Sequence, residues 1–183
     1  MGIQTGGDCY HARNGYIFGE YMRSEDVKFC PRCGTTILSQ VHFGQERPVC
    51  PACGWMFFAD PKVAAAVLVE RDGRILLVQR ANQPHRGLWT LPAGFVNAGE
   101  DPAAAAAREC FEETGLSVEI TGLIEIVAGR EHARGSDFVI FYRGLAPLGE
   151  PLAADDAAAV GWFERSSLPE LAFKSTTHIL TRH

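Results

Sequence analysis

The chain has 183 residues, of which 46% are hydrophobic and 21% are charged, a composition typical of a soluble globular protein. This length allows one ordinary domain and a small additional one, and the composition excludes a chain that is disordered throughout. The 17 Lys and Arg residues against 22 Asp and Glu residues give a net charge of −5, which does not favour nucleic-acid binding.

Residues 1–28 are rich in glycine and lack a clear hydrophobic period, and they are predicted to form a poorly ordered extension. They contain no basic segment followed by an apolar core, so they do not resemble a secretory signal. The longest apolar run, residues 63–69, is far shorter than the roughly 20 residues of a membrane helix. We therefore expect a cytoplasmic protein without a membrane span.

Residues 29–58 contain two C-x2-C pairs, CPRCG at 30–34 and CPACG at 50–54. Each pair presents two thiolates to one ion, and two such turns complete a tetrahedral Zn²⁺ site. Two disulfides or four unrelated core cysteines are the alternatives, although disulfides rarely persist in cytosolic proteins. A site with four sulfur ligands is closed to water, so its role would be structural. The predicted ligands are Cys30, Cys33, Cys50 and Cys53.

Two other cysteines, Cys9 and Cys110, have no such spacing. Cys9 falls in the extension, and Cys110 is expected to be a small buried hydrophobe rather than a nucleophile.

The third segment, residues 59–183, alternates strand and helix patterns. Two strands, 63–70 and 74–80, are predicted to be joined by a turn at Asp72-Gly73. The interleaving of strands and helices favours an α/β or α+β layered domain. Later in the chain, strands are predicted within 117–130 and 136–146 and at 159–163, with a short C-terminal helix from near Ser175.

A helix is predicted between Asp101 and Gly115. Asp101 is a good N-cap, Pro102 suits the first helical position, and Gly115 can adopt the left-handed conformation that ends a helix. The residues between them are mostly alanine and glutamate, which have high helix propensity. A small apolar face, which would let the helix approach a sheet closely, is expected from Ala103, Ala106, Ala107 and Cys110.

Three glutamates of this helix, Glu109, Glu112 and Glu113, are spaced i, i+3 and i+4, so they are predicted to share one face bordered by Arg108. A solvated acidic face is the alternative. Such a face usually interleaves lysines, and no lysine occurs between residues 63 and 173. The repulsion therefore favours a bound cation, and carboxylate ligands indicate Mg²⁺ or Mn²⁺ and phosphate chemistry.

The run GFVNAGEDPAAAAARECFEETGL, residues 94–116, resembles the Nudix box, GX5EX7REUXEEXGU, at every fixed position. The one departure is Cys110, where the family usually has a bulky aliphatic residue. The flanking segments GLWTLPAGF and VGWFERSSLPELAF also resemble those of Nudix hydrolases, so the resemblance extends over residues 61–183. Together with the preceding cysteines, the chain is similar to the zinc-ribbon group that includes NADH pyrophosphatases and FAD or ADP-ribose pyrophosphatases.

The resemblance implies an α/β fold, a Nudix α/β/α sandwich with a mixed sheet, preceded by a small four-cysteine zinc ribbon. It implies an enzyme that uses Mg²⁺ or Mn²⁺ to hydrolyse a nucleoside diphosphate linked to another moiety, and a homodimer. A different class of function remains open, a nucleotide-sensing or nucleic-acid-associated module that uses the ribbon for partner contact. The complete set of box carboxylates argues against that class, and the few basic residues of the ribbon do not favour nucleic acid.

The resemblance also implies roles for individual residues. The metal ligands are expected to be Glu109 and Glu113, with Glu112, and the carbonyl of Ala93 or Gly94. Arg108 would orient the carboxylates, and Glu100 would support that arrangement. The general base stays open between two box residues and three downstream acids: Glu112, Glu113, Glu131, Asp155 and Asp156.

The substrate is less defined by the sequence. NADH pyrophosphatases carry a motif resembling SQPWPFPxS after the box, whereas this chain has IVAGREHARGSDFVIF at 126–141. That departure shifts the expectation to ADP-ribose, FAD or a related dinucleotide. Arg80 and Arg86 are candidates for phosphate contacts. Trp89 and Phe95 are candidates for base stacking, with core packing as the alternative, and Asp156 completes the predicted substrate-binding set.

Overall fold

The structure is a computed structural model that describes residues 24–132, 135–146 and 148–183. Most of the predicted extension, with Cys9, lies outside the described residues. In the part that is described, Ser24–Asp26 forms a short 3-10 helix. Contacts divide the chain into two compact units, Met1–Ala59 and Asp60–His183.

The first unit is built on a β-hairpin. Strands β1 (Leu38–His42) and β2 (Gln45–Val49) pair in antiparallel fashion. Phe43 and Gly44 join them with φ values of 53° and 75°, the pair of positive values that a tight type I′ turn requires. One cysteine pair precedes β1 and the other follows β2, so the pairing of the two strands brings the cysteine pairs close together.

The second unit contains seven strands: β3 (Val63–Arg71), β4 (Arg74–Arg80), β5 (Trp89–Thr90), β6 (Ala93–Phe95), β7 (Glu119–Ala128), β8 (Phe138–Leu145) and β9 (Ala157–Glu164). They form a mixed sheet in the order β5-β4-β3-β8-β7, with β6 paired to β3 and β9 paired to β4. All pairs are antiparallel except β3 with β8, which are parallel. The predicted turn between β3 and β4 is confirmed, because Asp72 and Gly73 have φ values of 51° and 73°.

Two α-helices accompany the sheet, α1 (Pro102–Thr114) and α2 (Lys174–Arg182). Both predicted ends of α1 are confirmed. The Asp101 carboxylate accepts hydrogen bonds from the first free amides of the helix, and Gly115 has a φ of 70°. No helix in the described ranges is long and apolar enough to cross a membrane.

The helices cover opposite faces of the sheet, which confirms the predicted α/β/α sandwich. In β3, Ala65, Val67 and Val69 pack in the apolar cluster of α1, whereas Ala66 and Leu68 pack in the cluster of α2. All five are at most 1% exposed. A strand buried on both faces needs apolar side chains at consecutive positions, which explains the unbroken run that begins at residue 63.

The expected small face of α1 is wrong in part. The buried residues of the helix are Ala105, Ala106, Cys110, Glu113 and Thr114, whereas Ala103 and Ala107 are only half-buried. The helix is rotated so that its last turn presents Glu113 to the sheet. Burial of Cys110 agrees with its predicted structural role.

Candidate active site

The three glutamates of α1 lie in graded environments. Glu113 is 6% exposed, whereas the side chains of Glu109 and Glu112 are 15% and 41% exposed. Strand β6 lies against this part of the helix, and the amide of Ala93 donates a 3.0 Å hydrogen bond to Oε2 of Glu113. The glutamates therefore form a row that runs from the solvent into the interface between α1 and β6.

Arg108 connects the row to the loop before the helix. Its Nη1 donates to Glu109 Oε1 at 2.7 Å and to Glu112 Oε2 at 2.9 Å. Its Nε and Nη2 bind both oxygens of Glu100 at 2.7 and 2.9 Å, and Nη2 also donates to the Phe95 carbonyl at 3.1 Å. This guanidinium offsets part of the repulsion and holds two of the three carboxylates, which agrees with the orienting role inferred from the sequence.

Glu100 is the anchor of this arrangement. Besides the bonds from Arg108, its Oε2 accepts a 2.8 Å hydrogen bond from the backbone amide of Asn97. Arg108 and then the Asn97 amide lower the pKa of Glu100 to about 2. Because both bonds favour the ionised form, they stabilise the folded protein whenever Glu100 is charged.

We expect this contribution to disappear in acid. A carboxyl with a depressed folded pKa contributes stability above its unfolded pKa of about 4.3, and the contribution is lost as the pH falls toward 2. The free energy of unfolding of wild type should therefore exceed that of Glu100→Gln at pH 6. Denaturant titrations at several pH values should find the difference shrinking from pH ~4 to ~2. A difference that stays constant down to pH 2 would contradict the assignment.

Asp156 approaches the buried end of the row. Backbone hydrogen bonds place it there, since the Ala154 amide donates to the Glu113 carbonyl and the Ala81 amide donates to the Asp156 carbonyl. Burial raises the pKa of Glu113 well above its usual range, and the charge of Asp156 and a hydrogen bond with its side chain raise it further. The pKa of Glu109 is also raised, mainly by burial. Such crowded, desolvated carboxylates are characteristic of a functional site.

The other downstream acids lie elsewhere. Glu131 accepts hydrogen bonds from the amides of Lys174 and Ser175 at 2.6 and 2.8 Å, using one oxygen for each. It therefore caps the N-terminus of α2, where a carboxylate is favoured by the free amides and the helix dipole. Asp155 is exposed in the turn before β9, with a φ of 52°. Of the three, only Asp156 interacts with the glutamate row.

Gly94 is where β6 approaches the row most closely. A Cβ added at this position would overlap the carboxylate of Glu109. The absence of a side chain thus lets the backbone of β6 lie directly on a carboxylate. Glycine is required here for close approach rather than for an unusual φ.

Gly94→Ala is expected to lower turnover by about tenfold to a hundredfold, because its methyl group displaces the Glu109 carboxylate. The matched control is Gly122→Ala in β7, where an added Cβ meets no atom within 4 Å. Steady-state kinetics and thermal unfolding of both variants check the prediction. Equal activity of the two variants would contradict a role for this close approach.

The predicted substrate-binding residues lie in different environments. Arg80 is half-buried, and although burial lowers its pKa, the charges of Asp156 and Glu113 oppose that shift. Arg86 is exposed in the loop between β4 and β5. Phe95 is 47% exposed, with the Lys62 ammonium 5.3 Å from its ring centroid. The ring of Trp89 packs edge-to-face on Phe163, 4.7 Å away, as part of the core beneath α2.

The carboxylates suit a hard divalent cation. Glu109 and Glu112 each give one oxygen to Arg108, and the remaining oxygen of each is suited to a metal ligand. Glu113 is held in the same row by Ala93. Two carboxylates with raised pKa values, with a third on the same helix face, are a donor set for Mg²⁺ or Mn²⁺ rather than for a soft ion.

The four cysteines of the first unit form a second candidate metal centre. Their Sγ atoms all lie within 4.8 Å of one another, and three of the separations are 3.4, 3.6 and 3.7 Å. Tetrahedral Zn²⁺ with bonds of about 2.3 Å separates its sulfurs by about 3.8 Å. Each pair lies in an equivalent turn, in which a glycine amide donates to the carbonyl of the first cysteine, and the glycines are Gly34 and Gly54. The thiols are therefore arranged as four ligands of one metal ion and not as a pair of disulfides.

One group near the row was not anticipated from the sequence. His85, His132 and Phe173 bring their rings together beside Arg80. They come from three separate loops, and no spacing along the chain connects them. In the sequence, this group was marked only by the segment at 126–141, which contains His132 and differs from the motif of NADH pyrophosphatases.

A family model and a solved structure both match this chain. The family model described as NUDIX domain matches residues 60–181, about two thirds of the chain. The crystal structure of a NUDIX hydrolase from Nitrosomonas europaea superposes with a TM-score of 0.76 and 30% identity, covering 85% of this chain and 89% of that one. The chain belongs to the NUDIX domain family, and it is a hydrolase of that family.

Two curated relatives are similar over different extents. An ADP-ribose pyrophosphatase from Methanocaldococcus jannaschii is 36% identical over 124 residues, which are 65% of this chain and 71% of the relative. An NAD-capped RNA hydrolase NudC from Chromobacterium violaceum is 31% identical over 160 residues, which are 85% of this chain and 57% of the relative. The second match is longer than the Asp60–His183 unit, so it extends into the unit that carries the cysteines.

Proposed function

We propose that this chain is a Mg²⁺- or Mn²⁺-dependent pyrophosphohydrolase that cleaves a nucleoside diphosphate linked to another moiety, such as ADP-ribose, FAD or a related dinucleotide. The observation that carries the proposal is the row of Glu109, Glu112 and Glu113 against Gly94. Buried, mutually repelling carboxylates at this position are suited to a divalent cation and through it to a diphosphate.

In this proposal Glu109 and Glu113 hold the metal, with the carbonyl of Ala93 or Gly94 as a further ligand, and the second oxygen of Glu112 is left to accept a proton. The bound metal would neutralise the diphosphate and lower the pKa of the attacking water. Arg108 keeps Glu109 and Glu112 in place by hydrogen bonds, and Glu100 keeps Arg108 in place. Arg108 and Glu100 therefore act on the chemistry through the metal ligands.

The proton of the attacking water needs an acceptor. We assign this role to Glu112, the most exposed of the three glutamates, because one of its oxygens is fixed by Arg108. The water oxygen bonds to phosphorus, its proton passes to the carboxylate, and the bridging P–O bond breaks toward the leaving phosphate. Glu113, in contrast, is buried and paired with Asp156, which suits a ligand better than a base exchanging protons with solvent.

The substrate class rests on the relatives and on the cations near the row. The two relatives are named for ADP-ribose and for an NAD-capped substrate, both of which contain a nucleoside diphosphate. Arg80 and Arg86 would bind phosphate oxygens, and Asp156 would contact the substrate beside them. Phe95 offers an exposed ring for stacking, whereas Trp89 is largely committed to its contact with Phe163.

A release assay tests the proposal. Purified protein is incubated with ADP-ribose, FAD, NADH, a diadenosine polyphosphate and a nucleoside triphosphate, each with Mg²⁺, Mn²⁺ or EDTA. We expect metal-dependent release of AMP from at least one compound that contains a diphosphate bridge. Tight binding of ADP-ribose without any release of AMP would favour the sensing module instead, and we regard the intact glutamate row as evidence against that outcome.

We further propose that the thiol cluster, formed by Cys30, Cys33, Cys50 and Cys53, holds structural Zn²⁺. Residues 29–58 would then form a zinc ribbon before a Nudix domain at 59–183. The separations between the Sγ atoms support the zinc assignment. The homodimer and the cytoplasmic location inferred from the sequence also remain proposals. Size-exclusion chromatography with light scattering measures the oligomeric state directly.

A further inference from the structure

Three rings and a guanidinium gather beside the glutamate row. The ring centroids of His85 and Phe173 are 5.4 Å apart at an interplanar angle of 86°, and those of His132 and Phe173 are 6.1 Å apart at 26°. His85 and His132 are 6.4 Å apart. The Arg80 guanidinium lies 5.0 Å from the Phe173 centroid. We call His85, His132 and Phe173 the ring cluster.

The ring cluster is separate from the core. Phe173 belongs to neither apolar cluster of the described second unit, and all three rings are half-buried. An aromatic ring that only filled space would be stabilised more by complete burial. Two imidazoles around one phenyl ring instead make a partly wetted aromatic corner, with the His132 ring nearly parallel to Phe173 and the His85 ring edge-on to it, which is suited to a planar polar group.

The loops that carry the rings are held firmly. In the loop between β4 and β5, Arg80 Nε donates to the Pro84 carbonyl at 2.9 Å, and the Leu88 amide donates to the His85 carbonyl at 3.1 Å. His85 has a φ of 64°, a left-handed conformation that non-glycine residues adopt rarely. On the opposite side, Glu131 next to His132 caps α2 directly after Phe173. The rings are thus pre-arranged, which lowers the ordering cost of binding.

Arg80 links the ring cluster to the glutamate row. Its guanidinium contacts the Phe173 ring on one side and lies within the electrostatic influence of Glu113 and Asp156 on the other. A cation at this boundary is suited to a phosphate group. A ligand with its diphosphate at the row and Arg80 would extend its next group toward the rings.

We propose that the ring cluster is the binding site for a planar aromatic heterocycle of the substrate. This inference rests on the proposed function, which places the diphosphate at the glutamate row. The heterocycle lies parallel to the Phe173 and His132 rings and edge-on to the His85 ring while Arg80 holds an adjacent phosphate oxygen. A nucleobase and a nicotinamide or flavin ring share this chemistry, and the test below separates them.

The test compares ligands with and without a heterocycle. Phe173→Leu keeps an apolar side chain but removes the aromatic face, and His85→Asn removes a ring while tolerating a positive φ. Isothermal titration with AMP, nicotinamide mononucleotide, FMN and ribose 5-phosphate, all with Mg²⁺, gives the affinities. Stacking on an aromatic side chain contributes enough that each variant should bind one heterocyclic ligand at least about fivefold more weakly. Affinity for ribose 5-phosphate should be unchanged.

The matched control is Phe58→Leu in the first unit, because the Arg47 guanidinium lies 4.5 Å from the Phe58 centroid in a similar pair. It should alter none of the affinities. The ligand that weakens most identifies the heterocycle. Equal weakening for ribose 5-phosphate, or unchanged affinity for all three heterocyclic ligands in both variants, would overturn the inference and leave the rings as loop packing.

Failure of this inference is distinguishable from failure of the proposed function. If wild type releases AMP from ADP-ribose but both variants bind every ligand normally, the hydrolase proposal stands and the ring cluster proposal fails. If wild type hydrolyses nothing, the affinities still show whether the rings bind a heterocycle.

Discussion

Glu113→Gln is expected to lower turnover by at least about a thousandfold and to raise the thermal stability of the metal-free protein at pH 8. The first effect follows because a neutral amide is a poor ligand for a hard cation that contributes several kcal/mol to the reaction. The second follows because the substitution removes a buried charge that Asp156 and Glu109 repel. The amide oxygen of the new side chain can still accept the hydrogen bond from Ala93.

The stability difference between Glu113→Gln and wild type depends on pH because the pKa of Glu113 is raised. A carboxyl whose folded pKa is raised contributes most to stability below its unfolded value of about 4.3, and that contribution is lost as the pH rises through the folded pKa. The advantage of Glu113→Gln over metal-free wild type should therefore be large at pH 8 and small near pH 4. Added Mg²⁺ should reverse the order, because only wild type gains appreciable stability by binding it.

Thermal unfolding with EDTA and with Mg²⁺, together with the release assay, measures both effects. Glu119→Gln, an exposed substitution in β7, is the control and should change neither activity nor stability. A Glu113→Gln protein that keeps most of its turnover would remove Glu113 from the metal site. A metal-free variant less stable than wild type at pH 8 would contradict the predicted repulsion at Glu113.

Cys50→Ala is expected to abolish zinc binding and to unfold the hairpin of the first unit. Cys50 is 1% exposed and supplies one of four sulfurs, and a small zinc-bound unit draws most of its stability from the metal. Metal analysis of wild type should find about one zinc per chain, and the variant should hold little. Hydrogen exchange should show loss of protection in Leu38–His42 and Gln45–Val49.

Cys110→Ala provides a matched control, because Cys110 is also buried, at 0% exposure, but lies in the core beneath α1. It should retain zinc and the protection of the hairpin, with only a modest loss of stability in the second unit. Full zinc content in Cys50→Ala would contradict a four-sulfur site. Loss of zinc without loss of protection would mean that the hairpin folds independently of the metal.

Local signals in the sequence were sufficient for many elements. The ends of α1 follow from Asp101 and Gly115, whose capping interactions reach only three or four residues along the chain. The turn at Asp72-Gly73 and the turn around each cysteine pair likewise depend on residues close together in the sequence. The glutamate spacing predicted carboxylates near one another, although the expectation of one uniform face did not anticipate their graded burial.

Packing between distant segments decided the rest. All four positions are alanines, yet Ala105 and Ala106 are buried whereas Ala103 and Ala107 are half-buried. Only the rotation of α1 against β6 determines which of them are buried. The same rotation buries Glu113 and leaves Glu112 exposed. Which downstream acid lies beside Glu113 depended on where the segment before β9 crosses the end of α1, a contact between residues about 40 positions apart.

The sequence by itself thus determined the family and the residue types that gather in the glutamate row and in the thiol cluster, because both depend on particular side chains at short, regular spacing. The tertiary structure alone decided how deep each carboxylate lies, that Glu131 caps α2, and that three loops bring His85, His132 and Phe173 together. Those properties arise from sheet pairing and helix packing between segments far apart in the chain. No periodicity within a single segment encodes them.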